Sequence, residues 1–228
     1  MLYLSSAGLS RYLGRMHQFA LHVSPLVVLM FVASITPGPN NLMLMLAGTR
    51  FGFMQTVPHL LGVTTGTVLV ICLTYCGLGA LMLGHPRLVN VMTLACGAYL
   101  LWLARRLIQL EVVAQDDVRI AQIQEPVRRP MRAVEAILFQ FVNPKVWTMA
   151  LAATSIAARF PFSPAASIAV VATTTAVVNS PCIALWAAFG KVMRRRLDNA
   201  RTRRWFDGSM AALVVVTAIW IVWPVLTR

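Results

Sequence analysis

The chain has 228 residues, 58% of them hydrophobic and only 12% charged, with 20 Lys and Arg against 7 Asp and Glu. That is about half the charged share of an ordinary soluble domain, so the composition excludes one and indicates an all-α integral membrane protein. A net charge of +13 would suggest nucleic acid in a soluble protein, but here the cations fall between apolar runs, where they set topology and meet anionic lipid.

Residues 1–23 mix Arg11, Arg15, His17 and His22 with apolar residues and are expected to form an N-terminal extension without a clear unit of its own. A basic start before an apolar run mimics a signal peptide, yet the run is longer than a typical h-region and no small-residue cleavage site closes it. The first span is therefore kept, over about Ser24 to Ala47. In its middle stands Thr36-Pro37-Gly38-Pro39-Asn40-Asn41. Two prolines and a glycine in four residues cannot continue a helix, because each proline lacks an N–H and its ring clashes with the preceding turn. Broken backbone at bilayer depth is tolerated only where it is buried in protein or lines a cavity.

Five more spans are expected, over about Val57 to Leu83, Leu88 to Leu107, Ala133 to Ala157, Pro164 to Phe189 and Ser209 to Leu226. In the second, Gly62 and Gly66 are spaced for close helix packing, and His59, near its cytoplasmic start, is a secondary candidate site residue, although a solvated or hydrogen-bonded interfacial histidine is the expected case. The fourth span carries a second interruption, Asn143-Pro144-Lys145, and Pro181 is expected to interrupt the fifth. Moving to five spans by losing a weak one would flip one terminus. Fourteen of the 20 Lys and Arg lie in the connections after spans one, three and five or, as Arg105 and Arg106, at the adjoining end of span three, mostly in 108–132 and 190–208. The positive-inside rule puts these two long loops in the cytoplasm.

The chain reads as a single transmembrane domain over 1–228, built as two inverted three-helix repeats, each opening with a broken helix. Matched breaks in two halves are the best sequence pointer to a transporter site at the bilayer midplane. Lys145 is the most expensive residue in the chain, since a mid-span lysine costs about 2.5 to 3.5 kcal/mol on insertion scales. It has two roles open to it: capping carbonyls freed by the other break, or meeting a substrate carboxylate. Asn40 opens the second half-helix, where N–H groups and the dipole favour an anion. Asn41 and Asn143 flank the breaks, with Gln140 and Asn179 as secondary polar groups at depth. Glu135 lies about 15 Å of helix rise from Lys145, too far for a direct pair.

Cys72, Cys76, Cys96 and Cys182 all fall in apolar spans and read as reduced packing residues. Cys72 and Cys76 share a helix face, but no His or further Cys stands at ligand spacing, so no metal site is expected. No phosphate loop, HExxH or GxSxG occurs, so neither ATP hydrolysis nor another enzymatic activity is expected, and no cofactor.

With both breaks in view the chain resembles the LysE/RhtB family of amino-acid exporters. The resemblance rests on Thr36-Pro37-Gly38-Pro39-Asn40-Asn41, the Gly48 to Gly52 turn, Leu60-Leu61-Gly62, Gly97-Ala98-Tyr99-Leu100-Leu101-Trp102-Leu103 and Phe139-Gln140-Phe141-Val142-Asn143-Pro144-Lys145. Pro58-His59-Leu60-Leu61-Gly62 and the Phe139 to Asn143 run look most like the branch exporting cysteine and O-acetylserine. The resemblance implies a bacterial inner-membrane secondary exporter of amino acids or their derivatives, driven by the proton gradient. Carried over residue by residue, its binding region would include Pro37, Gly38, Pro39, Asn40, Asn41, Asn143, Pro144 and Lys145. The partners implied are a small amino-acid substrate, protons and lipid, with homo-oligomerisation left open. Family members begin close before the first span, and Met16 would be such a start. From another class, a non-transporting membrane-embedded binding or assembly subunit is the competing reading.

Overall fold

The computed structural model describes residues 6–116, 129–194 and 200–227, and every regular element among them is helical. The first broken unit is α1 (Ser6–Ile35) followed by α2 (Pro39–Phe51), and Pro39 occupies the first turn of α2, where a missing N–H costs nothing. After it come α3 (Phe53–Leu73), a short π-helical segment at Thr74–Leu78, α4 (Gly79–Gly84) and α5 (Pro86–Asp116). Gly77 in the π-helical segment has φ 115°, a backbone conformation open to glycine, and bends the second span there. The second broken unit is α6 (Ala133–Val142) and α7 (Pro144–Ala157), followed by α8 (Pro164–Arg194) and α9 (Ala200–Leu226).

Five stretches are long and apolar enough to cross a membrane: Met16–Ile35, Phe53–Gly84, Pro86–Arg105, Pro164–Arg194 and Arg204–Leu226. The sixth apolar unit is α6 plus α7, each short because Pro144 divides them; together their 133–157 stretch has about 37 Å of helical rise. Outward faces carry exposed Leu61, Leu69, Val177, Leu185, Val216 and Trp220, the apolar surface that lipid covers. The protein is an all-α, multi-pass membrane protein.

Three expectations are corrected. Residues 6–23 do not lack structure of their own but extend α1, because Leu, Ala, Met and Arg are good helix formers and no proline precedes Pro25; residues 1–5 lie outside the described part. The connections 108–132 and 190–208 are shorter than expected, since α5 runs on to Asp116, α8 to Arg194, and α9 starts at Ala200. Residues 117–128 and 195–199 lie outside the described part. Helices outlast their apolar segments here because Arg and Lys keep helix propensity in water, and Lys191 and Arg194 also complement the α8 dipole. Pro181 does not interrupt α8, which passes through it from Pro164 to Arg194.

Residue pairings fix the directions of the helices. Thr36 at the end of α1 meets Lys145 at the start of α7, and Phe19, about halfway along α1, lies 5.6 Å from Phe162 beyond the end of α7. Asn40 at the start of α2 bonds Gln140 near the end of α6. The two broken units therefore run antiparallel, with α1 level with α7 and α2 level with α6. Packing is exchanged between the halves: α3 lies on α6 and α7, α8 lies on α1 and α2, and the like helices pair as α3 with α8 and α5 with α9. Two units related by inversion pack in this way.

Glycines let the exchanged helices close. A Cβ on Gly62 would collide with the Ala133 carbonyl of α6, and one on Gly66 with Ile137 and Gln140. On the other side, Gly48 lies against the Ala187 carbonyl of α8 and Gly190 against the Met45 carbonyl of α2. Apolar contacts fill in around them. One cluster joins α1, α3 and α7 through Leu26, Met30, Ile71, Ala150 and Ala153; another joins α2, α5 and α9 through Leu42, Leu100 and Val214.

Candidate functional site

At the first break, Gly38 is fully extended, and the Thr36 and Pro37 carbonyls accept no backbone N–H among the described residues. Asn41 folds back from α2, its Nδ2 donating to the carbonyls of Ser34 at 2.8 Å and Thr36 at 2.7 Å. Trp186 of α8 donates its indole N–H to the Ile35 carbonyl at 3.2 Å. The Lys145 ammonium arrives from the other break and donates to the Thr36 carbonyl (2.8 Å), Thr36 Oγ1 (3.0 Å) and the Pro37 carbonyl (3.4 Å). An ammonium has three protons, and all three find oxygens of the opposite break. Of the two roles open to Lys145, this arrangement is the carbonyl-capping one.

The second break is held by its own asparagine. Asn143 accepts the Lys145 backbone N–H on Oδ1 at 3.1 Å, capping α7, while its buried Nδ2 has no partner among the described residues. Trp147 donates to the Phe141 carbonyl at 2.8 Å, closing the end of α6. Asn40 and Gln140 face each other as reciprocal amides, 2.7 and 3.3 Å apart, and Gln140 also donates to the Ala136 carbonyl. Asn179 of α8 reaches Ser34 Oγ at 2.9 Å and accepts from Thr64 at 3.5 Å.

Gly38, Pro39, Asn40, Asn41, Asn143, Lys145 and Asn179 line one small cavity of about 30 Å³. That space holds a water or two. Pro37 contributes a carbonyl to Lys145, and Pro144 opens α7 without lining the cavity. His59 is not brought to the break. It lines a separate cavity of about 310 Å³ near the far end of α2, with Arg50, Tyr99, Arg129 and Glu135. There Arg129 grips Glu135 in a bidentate pair at 2.6 and 2.9 Å, a bond that raises the Arg129 pKa above the ordinary guanidinium value. No group of three or more metal-ligating side chains occurs among the described residues.

The LysE type translocator family model matches residues 31–223. The chain belongs to that family. Curated relatives include the cysteine/O-acetylserine efflux protein of Salmonella paratyphi A, 30% identical over 125 residues that make up 54% of this chain and 59% of that protein. The protein of the same description in Escherichia coli strain K12 is 28% identical over 115 residues, 50% of this chain and 54% of its own length. The chain thus spans under two thirds of the length of these relatives. No solved structure matches it.

Within this family member, sequence reasoning located both breaks but not all the groups that hold them. Thr36 is the main acceptor for Lys145, and Ser34 and Trp186 complete the first break. Nothing in local spacing marks Trp186, which is 151 residues from its acceptor. Arg50, Tyr99 and Arg129 were legible as loop cations or a motif residue, and only the tertiary fold gathers them around His59.

Proposed function

We propose that this chain is a secondary exporter of amino acids or their derivatives in the bacterial inner membrane, with its substrate site at the paired breaks and the proton gradient as its driving force. The observation that carries the reading is the antiparallel meeting of the two broken helices, with Lys145 and Asn143 of one break set against Thr36 to Asn41 of the other. A passive scaffold gains nothing from a lysine and five amides at such depth, and each costs free energy unless partnered. Small neutral amino acids, cysteine and O-acetylserine first, are the substrates to test, following the relatives.

In the mechanism, a substrate carboxylate competes with the Thr36 and Pro37 carbonyls for the Lys145 ammonium and takes the unused Nδ2 of Asn143. The first N–H groups of α2 supply further donors with the positive end of the helix dipole behind them. The break cavity as it stands is too small for an amino acid, so binding requires the two halves to part. Rocking one inverted unit against the other around this point then exposes it to either side in turn.

The experiment is flux into inside-out vesicles from cells making the protein. Radiolabelled cysteine and O-acetylserine should accumulate when a proton gradient is imposed, and a protonophore should abolish the accumulation. Absence of flux across a panel of neutral amino acids, at confirmed membrane abundance, would leave the assembly-subunit reading in its place.

A further inference from the structure

The larger cavity lies along α2, one to three turns beyond Asn40. Met43, Leu46 and Ala47 of α2 form an apolar side, and Arg50, Arg129 and Glu135 bring charge of both signs with one net positive. His59 is among its lining residues and is only 1% exposed, and neither ring nitrogen has a hydrogen-bond partner among the described residues. A buried polar atom left unsatisfied costs about 1–3 kcal/mol. In neutral imidazole one nitrogen is an unspent donor and the other an unspent acceptor. Leucine at this position would be better for folding.

We propose that this cavity is a second binding site, separate from the breaks, which loads a small zwitterionic amino acid, with His59 as its specificity-determining polar group. The inference rests on the export reading and deepens it. The charges match the ligand class: a zwitterion that exchanges into the Arg129–Glu135 pair sets its carboxylate against the arginines and its ammonium against Glu135, and the α2 side takes a short side chain. His59 supplies the neutral hydrogen bonds that a site of charges and methylenes lacks, and polar groups of this kind give specificity by being left unpaired when the wrong ligand binds. Asn40 of the reciprocal Asn40–Gln140 pair lines the smaller cavity, and Met43, three residues on along α2, lines the larger.

The test uses the full chain in lipid nanodiscs, with O-acetyl-L-serine and L-cysteine titrated calorimetrically and thermal unfolding followed in parallel. His59→Leu should weaken binding at least tenfold while the unfolding midpoint stays or rises, and His59→Gln, which keeps a donor and an acceptor, should bind within about threefold of wild type. A purely structural histidine would do the reverse, losing stability in the leucine variant and leaving affinity alone. Equal affinity in wild type and His59→Leu, or no binding of either amino acid by wild type, overturns the site. Flux is judged separately: an exporter that binds equally well without His59 refutes only this site, and a wild-type protein that binds through His59 but moves nothing refutes only export.

Discussion

The Lys145 ammonium lies 2.8 Å from the carbonyl of Thr36, a residue 109 positions earlier in the chain, and so bonds one broken helix to the other. Lys145→Met keeps the volume and removes the charge, so the direct bond between the two breaks is lost: the Pro37 carbonyl loses its ammonium donor and the Thr36 carbonyl keeps only Asn41. The variant should reach the membrane with a lowered unfolding midpoint and no efflux. Lys145→Arg keeps the charge but replaces a compact ammonium with a wide planar fork, and should retain little. Wild-type efflux from the Met variant at matched abundance would remove Lys145 from the mechanism.

Gly38 makes room for that lysine. Its φ of −173° is extended backbone that any residue adopts, so an added methyl causes no backbone strain. The methyl would instead lie 3.0 Å from both Cδ and Nζ of Lys145. Since these atoms end a flexible chain, Gly38→Ala should fold and insert, with the ammonium displaced and efflux lowered several-fold. The double variant Gly38→Ala with Lys145→Met should be no worse than Lys145→Met alone, because both act on one contact. Additive losses in vesicle flux would mean that Gly38 acts through something else.

The breaks were legible in the sequence because proline and glycine state their backbone chemistry locally, whatever the tertiary fold. Helix ends were less legible. Arg194 and Asp116 read as loop, yet both are helical, since charged residues do not end a helix when it leaves the apolar layer. Pro181 misled in the opposite direction, being accommodated within α8. The partners of the site were the least legible. Gln140 and Asn40 are 100 residues apart, and no local pattern says that two amides will meet. His59 read as an interfacial, solvated or hydrogen-bonded histidine, and its 1% exposure and lack of partners follow only from the packing of its neighbours.

The Asn40–Gln140 pair can be weighed by a double-mutant cycle on unfolding in detergent, using Asn40→Leu and Gln140→Leu. Each single variant leaves one buried amide unsatisfied, and the double leaves neither. The coupling should be about 1 kcal/mol, within the range for interhelical hydrogen bonds in membranes, and the double variant should unfold no earlier than the worse single. A coupling near zero would show that water or the Ala136 carbonyl satisfies Gln140 equally well without Asn40.

We propose a sidedness that rests on charge and on one helix. Fourteen of the 20 Lys and Arg lie in the connections after the first, third and fifth spans or, as Arg105 and Arg106, at the adjoining end of the third span, and α8 runs from Pro164, just after Arg159, to Arg194. Its 31 residues rise about 46 Å, enough to carry its ends to opposite faces of a bilayer. Arg194 and Arg159 are both exposed, so cysteines placed there report on the two faces with little disturbance of packing. With the positive-inside rule, Arg194→Cys should react with an impermeant maleimide in inside-out vesicles and stay unlabelled in right-side-out ones. Arg159→Cys should show the opposite pattern. The native cysteines, all within apolar helices, supply the background to subtract. Labelling of Arg194→Cys from the outer face would reverse the orientation and place the His59 cavity on the exit side of the transporter.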